Sequence, residues 1–252
     1  MSALAEPYRP KTDIVSRLRR RSARVMACDT FTPELTRGVV SFSFDDCPAS
    51  VTTNALPVLE ARDWRGTIYA AMGLNGTTNH LGLHMSTADY QACARSGHEV
   101  ADHTYSHLDP MRAGVGLTLA DVNRNRAAFD EAGLPPATTF AFPYGEVTPA
   151  LKRGLRAHFD LLRGIHSPSD DTLDLSLAAS QRLYMSSLSD VAKAIEIAAR
   201  DRLWLILFTH DVREEPSEFG CTPEAFAEVT AMVAERDLDV LPIAEALERA
   251  RP

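Results

Sequence analysis

Residues 38–48 read Gly-Val-Val-Ser-Phe-Ser-Phe-Asp-Asp-Cys-Pro. The run from Gly38 to Phe44 is apolar and rich in β-branched and aromatic side chains, which makes it a strand. Two carboxylates, Asp45 and Asp46, stand where that strand ends. Adjacent carboxylates repel each other and are costly inside a core. At the C-terminal end of a parallel strand they can ligate a metal and act as a base. The same pair, followed by Cys47 and Pro48, could instead form a turn and cap the next helix.

The pattern on either side repeats this unit. Helical periodicity over residues 51–62, 86–96, 117–132, 149–157 and 188–200 alternates with apolar β-rich runs at 67–72, 99–102, 138–142, 160–165 and 203–208. Ser86 is a natural N-cap, and Thr222 followed by Pro223 opens a further helix to about Glu235. Residues 183–185 and 238–241 read as two more short strands, and a last helix starts at Pro242. Such alternation means parallel βα units, and seven or eight of them in 252 residues fit a (β/α) barrel. An open doubly wound sheet satisfies the same periodicity.

Composition narrows the function. Lys and Arg number 26 and Asp and Glu 34, a net charge of −8. With 45% hydrophobic and 24% charged residues the chain is globular rather than disordered. At this length roughly 70–75% of the unfolded surface is buried, so folding needs neither a disulfide nor a metal. The acidic balance argues against a nucleic-acid partner, which would require cationic charge. The first residues lack the apolar core of a secretory leader and no run of 18 apolar residues occurs, so a cytoplasmic protein is expected. Cys28, Cys47, Cys93 and Cys221 are widely spaced and read as free thiols.

One stretch departs from the acidic balance. Arg17, Arg19, Arg20, Arg21 and Arg24 crowd together near the start. They read as a solvated helix face, or as a patch for a membrane surface or a lipid-linked glycan carrier. Residues 1–37 are accordingly set apart as a basic helical extension, and residues 38–252 as a single domain.

Three further constellations carry chemistry. His103 and His107, in His-Thr-Tyr-Ser-His, are spaced to share one face of a helical turn, where both imidazoles can reach one ion or stand as two unrelated histidines on a surface helix. Two histidines and a carboxylate make a tridentate set with an open position. His80 and His84 have the same spacing, but they lie in a Gly/Asn/Thr-rich segment with no strand before it and read as loop. Phe140-Ala141-Phe142-Pro143-Tyr144-Gly145 ends another strand in a tight turn, either an ordinary βα turn or one that presents N–H donors to an oxyanion. His210 is delivered by the apolar strand before it, as a core histidine or a titratable group at the strand's end. All these sites fall at or just after the ends of different parallel strands, which in a barrel form one face.

The segments FSFDDCP, HTYSH, FAFPYG and LILFTH, in this order and spacing, resemble the NodB-homology polysaccharide deacetylases of carbohydrate esterase family 4. The resemblance covers about residues 38–248. It implies a single-domain distorted (β/α) barrel of about seven strands, one divalent metal ion (usually zinc) and removal of acetyl from N-acetylated sugars. It further implies Asp45 as catalytic base, Asp46, His103 and His107 as metal ligands, a Tyr144 backbone donor to the oxyanion and His210 as general acid, and Pro143 beside Tyr144 is expected to contact the substrate. The absent leader points to an intracellular type acting on an exopolysaccharide or adhesin intermediate.

Several positions depart from the family pattern. Cys47 replaces a glycine and reads as a wall residue or an added thiolate ligand. Ala141 replaces the arginine that normally braces the base. Arg163 could reach in as its substitute, or form a salt bridge on the barrel rim. The family tryptophan of the fourth motif is missing, and His166 is a candidate sugar contact in its place. A hydrolase of small C–N substrates on the same fold, and a catalytically weak glycan-binding module, are the competing readings.

Overall fold

The computed structural model describes residues 9, 11–168 and 171–251. Eight strands form the main sheet: β1 (Val39–Asp45), β2 (Thr67–Ala70), β3 (Glu99–Asp102), β4 (Thr139–Ala141), β5 (Leu161–Arg163), β6 (Gln181–Arg182), β7 (Trp204–Thr209) and β8 (Asp239–Val240). Seven follow the path β6-β7-β1-β2-β3-β4-β5, every neighbouring pair parallel, and β8 lies against the first two residues of β1. The stretch 175–182 closes the curl. Ala178 N–H donates to Leu162 O (2.7 Å) and Gly164 N–H to Ala178 O (2.9 Å) before Gln181 and Arg182 join β7. The result is a distorted, seven-strand (β/α) barrel whose last seam holds a connecting segment where the other units have a helix.

Residues alternate in and out along each strand. Val40, Phe42 and Phe44 of β1 and Leu205 and Leu207 of β7 pack outward on Val191, Ile195, Phe226 and Val229 of the covering helices. Tyr69, Ala101, Ala141, Leu161 and Ile206 face the interior. Ser41, Ser43 and Asp45 occupy the alternate, inward positions of β1, so the carboxylate at the strand's end belongs to the lumen.

Nine helices are described: α1 (Ile14–Ala23), α2 (Ser50–Asn54), α3 (Leu56–Glu60), α4 (Thr87–Arg95), α5 (Pro110–Glu131), α6 (Pro149–Arg156), α7 (Leu188–Asp201), α8 (Pro223–Glu235) and α9 (Ile243–Ala250). The Ser86 cap is a full capping box with Asp89, and Thr222 caps α8 as expected. Three expectations need correction. The helix expected over 51–62 is two short helices, because Pro57 has no N–H to continue the ladder. The helix expected over 117–132 starts at Pro110 and kinks at Gly114, whose φ is 77°. The strand expected at 183–185 lies at Gln181–Arg182, and Met185–Ser187 is a 3-10 turn.

The N-terminal mouth of the barrel is sealed by α9. Ile243 and Leu247 join the interior cluster. Half-buried Glu99 accepts from Ala244 N–H (3.0 Å), Thr67 Oγ1 (2.7 Å) and Thr139 Oγ1 (2.5 Å), and Ile243 N–H donates to Thr67 Oγ1 (2.8 Å). One carboxylate thus ties three strands to the plug. The segment before β1 is attached just as firmly. Ala23 is buried among Leu151, Leu155 and Phe159, and Thr30–Phe31 pairs antiparallel with Leu173–Asp174.

Candidate metal centre and active site

The chain reverses sharply after β1. Asp46 and Cys47 both adopt left-handed backbone, with φ of 58° and 53°. A side chain in that region costs roughly 1–2 kcal/mol, which glycine avoids. Cys47 offsets the cost by full burial in the apolar cluster and by donating Sγ–H to Tyr69 O (3.0 Å). Burial, with the Asp46 and Asp45 charges nearby, pushes its thiol well above the usual range. With Sγ turned to the Tyr69 carbonyl it is a wall residue, and the group of converging donors is Asp46, His103 and His107 without it.

The reversal sends the two carboxylates to different partners. Asp45 points into the lumen and pairs with the Arg163 guanidinium, both groups buried. Arg163 lies between the rings of Phe208 (4.8 Å) and Tyr69 (5.0 Å). Burial alone would raise the Asp45 pKa, but the Arg163 guanidinium beside it outweighs that and holds the carboxyl below its ordinary value. The pair lies inside the barrel, which excludes a rim salt bridge for Arg163.

Asp46 turns toward the two histidines. His107 Nε2 lies 3.0 Å and His103 Nε2 3.4 Å from Asp46 Oδ1. The three donor atoms all lie within 4.8 Å of one another. His103 Nδ1 is 2.8 Å from the Ala141 carbonyl, which fixes the proton on Nδ1 and turns the Nε2 lone pair to Asp46. Asp46 Oδ1 is buried without a hydrogen-bond donor of good geometry. An acidic oxygen and two imidazole nitrogens converging on a donor-free point fit a divalent cation with an open coordination position.

The local fold differs from the helical turn expected for His103 and His107. No helix forms there. Thr104 and His107 have left-handed φ of 62° and 51°, and a bend brings the ring centroids to 4.9 Å. Two carboxylates shape it. Asp102 Oδ1 accepts Thr104 N–H (2.8 Å) in an Asx turn, and Asp121 Oδ2 accepts both the N–H (2.8 Å) and Oγ–H (2.9 Å) of Ser106. Sequence reasoning misses both, although an Asp directly before such a histidine pair is an Asx-turn signal.

The other candidates sit around the same mouth. The turn Pro143–Gly145 has Tyr144 left-handed (φ 58°), with its ring 4.4 Å from His107. Pro143 is buried, so it shapes the turn and offers little surface to a substrate. His210 Nδ1 lies 3.3 Å from Phe219 O, which leaves Nε2 for the site. Its ring is flanked by Phe219 (5.6 Å) and Tyr184 (6.0 Å), with His80 beyond Phe219 at 6.2 Å. No sequence signal marks this aromatic wall. His166 is elsewhere: it lines a crevice of about 890 Å³ together with Arg24, Asp174 and Trp204, and no residue of the metal group or its neighbours Asp45 and His210 lines that crevice.

His84 supports the site from behind. The loop expected there is instead a short hairpin, Thr78–Asn79 against Gly82–Leu83, and His84 follows it in a bridge to Pro48; it is buried, and its Nδ1 lies 2.7 Å from the main-chain oxygen of Asp46. The donor holds the Asp46 peptide in its left-handed turn.

Comparison with known proteins follows the same lines. A polysaccharide deacetylase family model matches residues 32–158. A bifunctional xylanase/xylan deacetylase of Cellvibrio japonicus is 27% identical over 120 residues, 48% of this chain but only 17% of that protein. Among solved structures, one from Mycobacterium smegmatis described as a polysaccharide deacetylase superimposes with a TM-score of 0.64 at 18% identity, covering 89% of this chain and 95% of that one. A family 4 acetyl xylan esterase from Clostridium thermocellum, in complex with a cobalt ion, gives 0.58 at 20% identity over 83% and 90%. At these identities the structures speak to the fold.

Proposed function

Because the chain belongs to the polysaccharide deacetylase family, we propose that it is a metal-dependent hydrolase removing acetyl groups from N-acetylhexosamine residues of a glycan. The observation that carries this reading is the junction at residues 45 and 46. There an ion-paired carboxylate stands next to a buried carboxylate that faces two histidine nitrogens.

Asp46, His103 and His107 would hold the metal, with zinc suited to this nitrogen- and oxygen-rich set. When bound, such an ion polarises the acetyl carbonyl and lowers the pKa of a water. Asp45, kept ionised and oriented by Arg163, accepts the proton of the attacking water. The Tyr144 main-chain N–H is offered to the developing oxyanion. His210, its Nδ1 tied to the Phe219 carbonyl, delivers a proton from Nε2 to the departing sugar nitrogen. An amide nitrogen leaves only when protonated, so a positioned acid favours the amide over an acetyl ester.

Acetate release from N-acetylglucosamine oligomers and from acetylated xylan, with and without chelator, tests the reading. Chelator-sensitive release from the amide substrate is expected. Release from xylan alone would overturn the amide assignment, and firm glycan binding with no release would favour a binding module.

A further inference from the structure

We propose that the outward face of α1 is a docking surface for an anionic phospholipid membrane. The helix shows two unlike faces. Ser16 and Ala23 are buried against the barrel, and Arg20 pairs with Glu146 (2.5 Å). The opposite face carries Ile14 and Leu18, one turn apart and 68% and 61% exposed, with Val15 beside them. Val25 and Met26, just past the helix, are also exposed. Large apolar side chains in the open are otherwise scattered singly over the described surface, as at Leu83 and Ile197. Ile14, Val15 and Leu18 share the outward side of one helix, with Val25 and Met26 exposed beyond its end, and grouped exposed apolar side chains mark contact surfaces.

The flanking charge says what the contact is. Arg17 and Arg21 line one side of the Ile14–Leu18 ridge, and Arg19 lies on the other. The helix has no acidic side chain, in a chain of net charge −8. An apolar ridge bordered by exposed arginines is the arrangement that lies in a headgroup layer, ridge inward and guanidinium groups on the phosphates. The acidic remainder of the surface is repelled by the same layer, which fixes the orientation. A protein partner would have to supply a matching acidic rim around an apolar groove; a membrane supplies both over any area. No helix among the described residues is long and apolar enough to cross a membrane, so the contact is peripheral.

The position of the face gives it a purpose. Glu146, the anchor of Arg20, directly follows the Pro143–Gly145 turn. Val15 and Arg19 overhang a cleft shared with Asp109 and Arg112, and these two also line the next cleft with Tyr144. Docking through α1 therefore sets the rim of the barrel mouth beside the headgroups, independently of which acetylated substrate the site takes.

Co-sedimentation of the full chain with phosphatidylcholine vesicles, and with the same vesicles containing phosphatidylglycerol, tests this. Binding to the anionic vesicles alone is expected, weakening as salt rises. Arg17→Gln with Arg21→Gln should weaken it about fivefold per arginine. Ile14→Ser with Leu18→Ser leaves the charge untouched and should weaken it at least about tenfold. Both variants should keep wild-type thermal midpoints and wild-type turnover on a soluble substrate, since these side chains point outward. Equal partition into both vesicle types, or anionic binding unchanged in the Ile14/Leu18 variant, would overturn the proposal. So would a dimer in solution that the Ile14/Leu18 variant abolishes, which would make the face a self-interface.

Discussion

Ala141 and Arg163 are register partners on adjacent parallel strands of the barrel. The family pattern expects an arginine at position 141, bracing the base. Here that position holds alanine, and the guanidinium enters from the next strand at the same height, reaching Asp45 from inside the lumen. The main-chain carbonyl of Ala141 accepts from His103 Nδ1. The guanidinium that pairs with Asp45 thus comes from the strand next to the one where the family pattern places it.

This exchange can be run backwards. Arg163→Ala should cut acetate release by about 100-fold or more, since a misplaced base is costly. It should also destabilise the fold by about 3–5 kcal/mol, leaving a buried carboxylate unpaired. Adding Ala141→Arg to that variant should recover at least about tenfold in rate. A double variant no better than the single one, in acetate release and thermal midpoint, would show that the two strands are not equivalent supports.

Asp45→Asn and His210→Ala should each lower turnover by about 10²–10⁴-fold, with metal content by elemental analysis staying near the wild-type level. Near-wild-type turnover in either would remove that residue from its role.

The His84 contact predicts a change in metal affinity with little change in substrate KM. His84→Phe loses the donor to the Asp46 carbonyl and should weaken metal binding about 10–100-fold. His84→Asn places an amide donor near the Nδ1 position and should stay within about threefold of wild type. Competition with a chromogenic chelator measures both, and equal losses would point to packing alone.

His166 supplies a pH-dependent term in stability. Burial, then the Arg24 charge, pushes its imidazole down to about 4. As pH falls below about 6.5 the unfolded chain takes up this proton and the folded chain does not. The contribution is therefore complete above about pH 6.5 and is lost toward pH 4, by about 1–2 kcal/mol after allowance for partial exposure. Urea midpoints at about pH 7 and about pH 4.5 should fall further apart in wild type than in His166→Phe. Identical gaps would place the acid sensitivity elsewhere.

What can be read in the sequence is what local chemistry controls. Strands rich in Val, Phe and Ile stand out, and so do the polar residues at their ends, which is why Asp45, Asp46, His103, His107 and His210 are legible as candidates from the chain alone. The spacing of His103 and His107 suggests the right neighbourhood for the wrong reason. Proximity comes from an Asx turn on Asp102, a contact two residues long that helical periodicity cannot express. His84 and Asp46 meet only because a hairpin folds back over the β1 turn, and Glu99 acquires its role only when α9 closes the far mouth. Long-range closure of this kind leaves no local trace. The Arg163 substitution is legible because a missing arginine in one strand raises the question of which strand supplies another.

The seam between β5 and β6 has a mechanical meaning. Elsewhere each pair of barrel strands is backed by a helix; here a single connecting segment closes the wall, and the crevice beside it is open. The seam carries Arg163 on one bank, and Ser180 Oγ–H donates to Gly164 O (2.6 Å) across it. The part of the wall without a backing helix is therefore the part that carries Arg163, the ion-pair partner of Asp45. Asp45 therefore leans on a wall section held by strand-to-segment hydrogen bonds, whereas Asp46, His103 and His107 stand on strands covered by helices, so the two carboxylates at one chain reversal depend on differently built parts of the barrel.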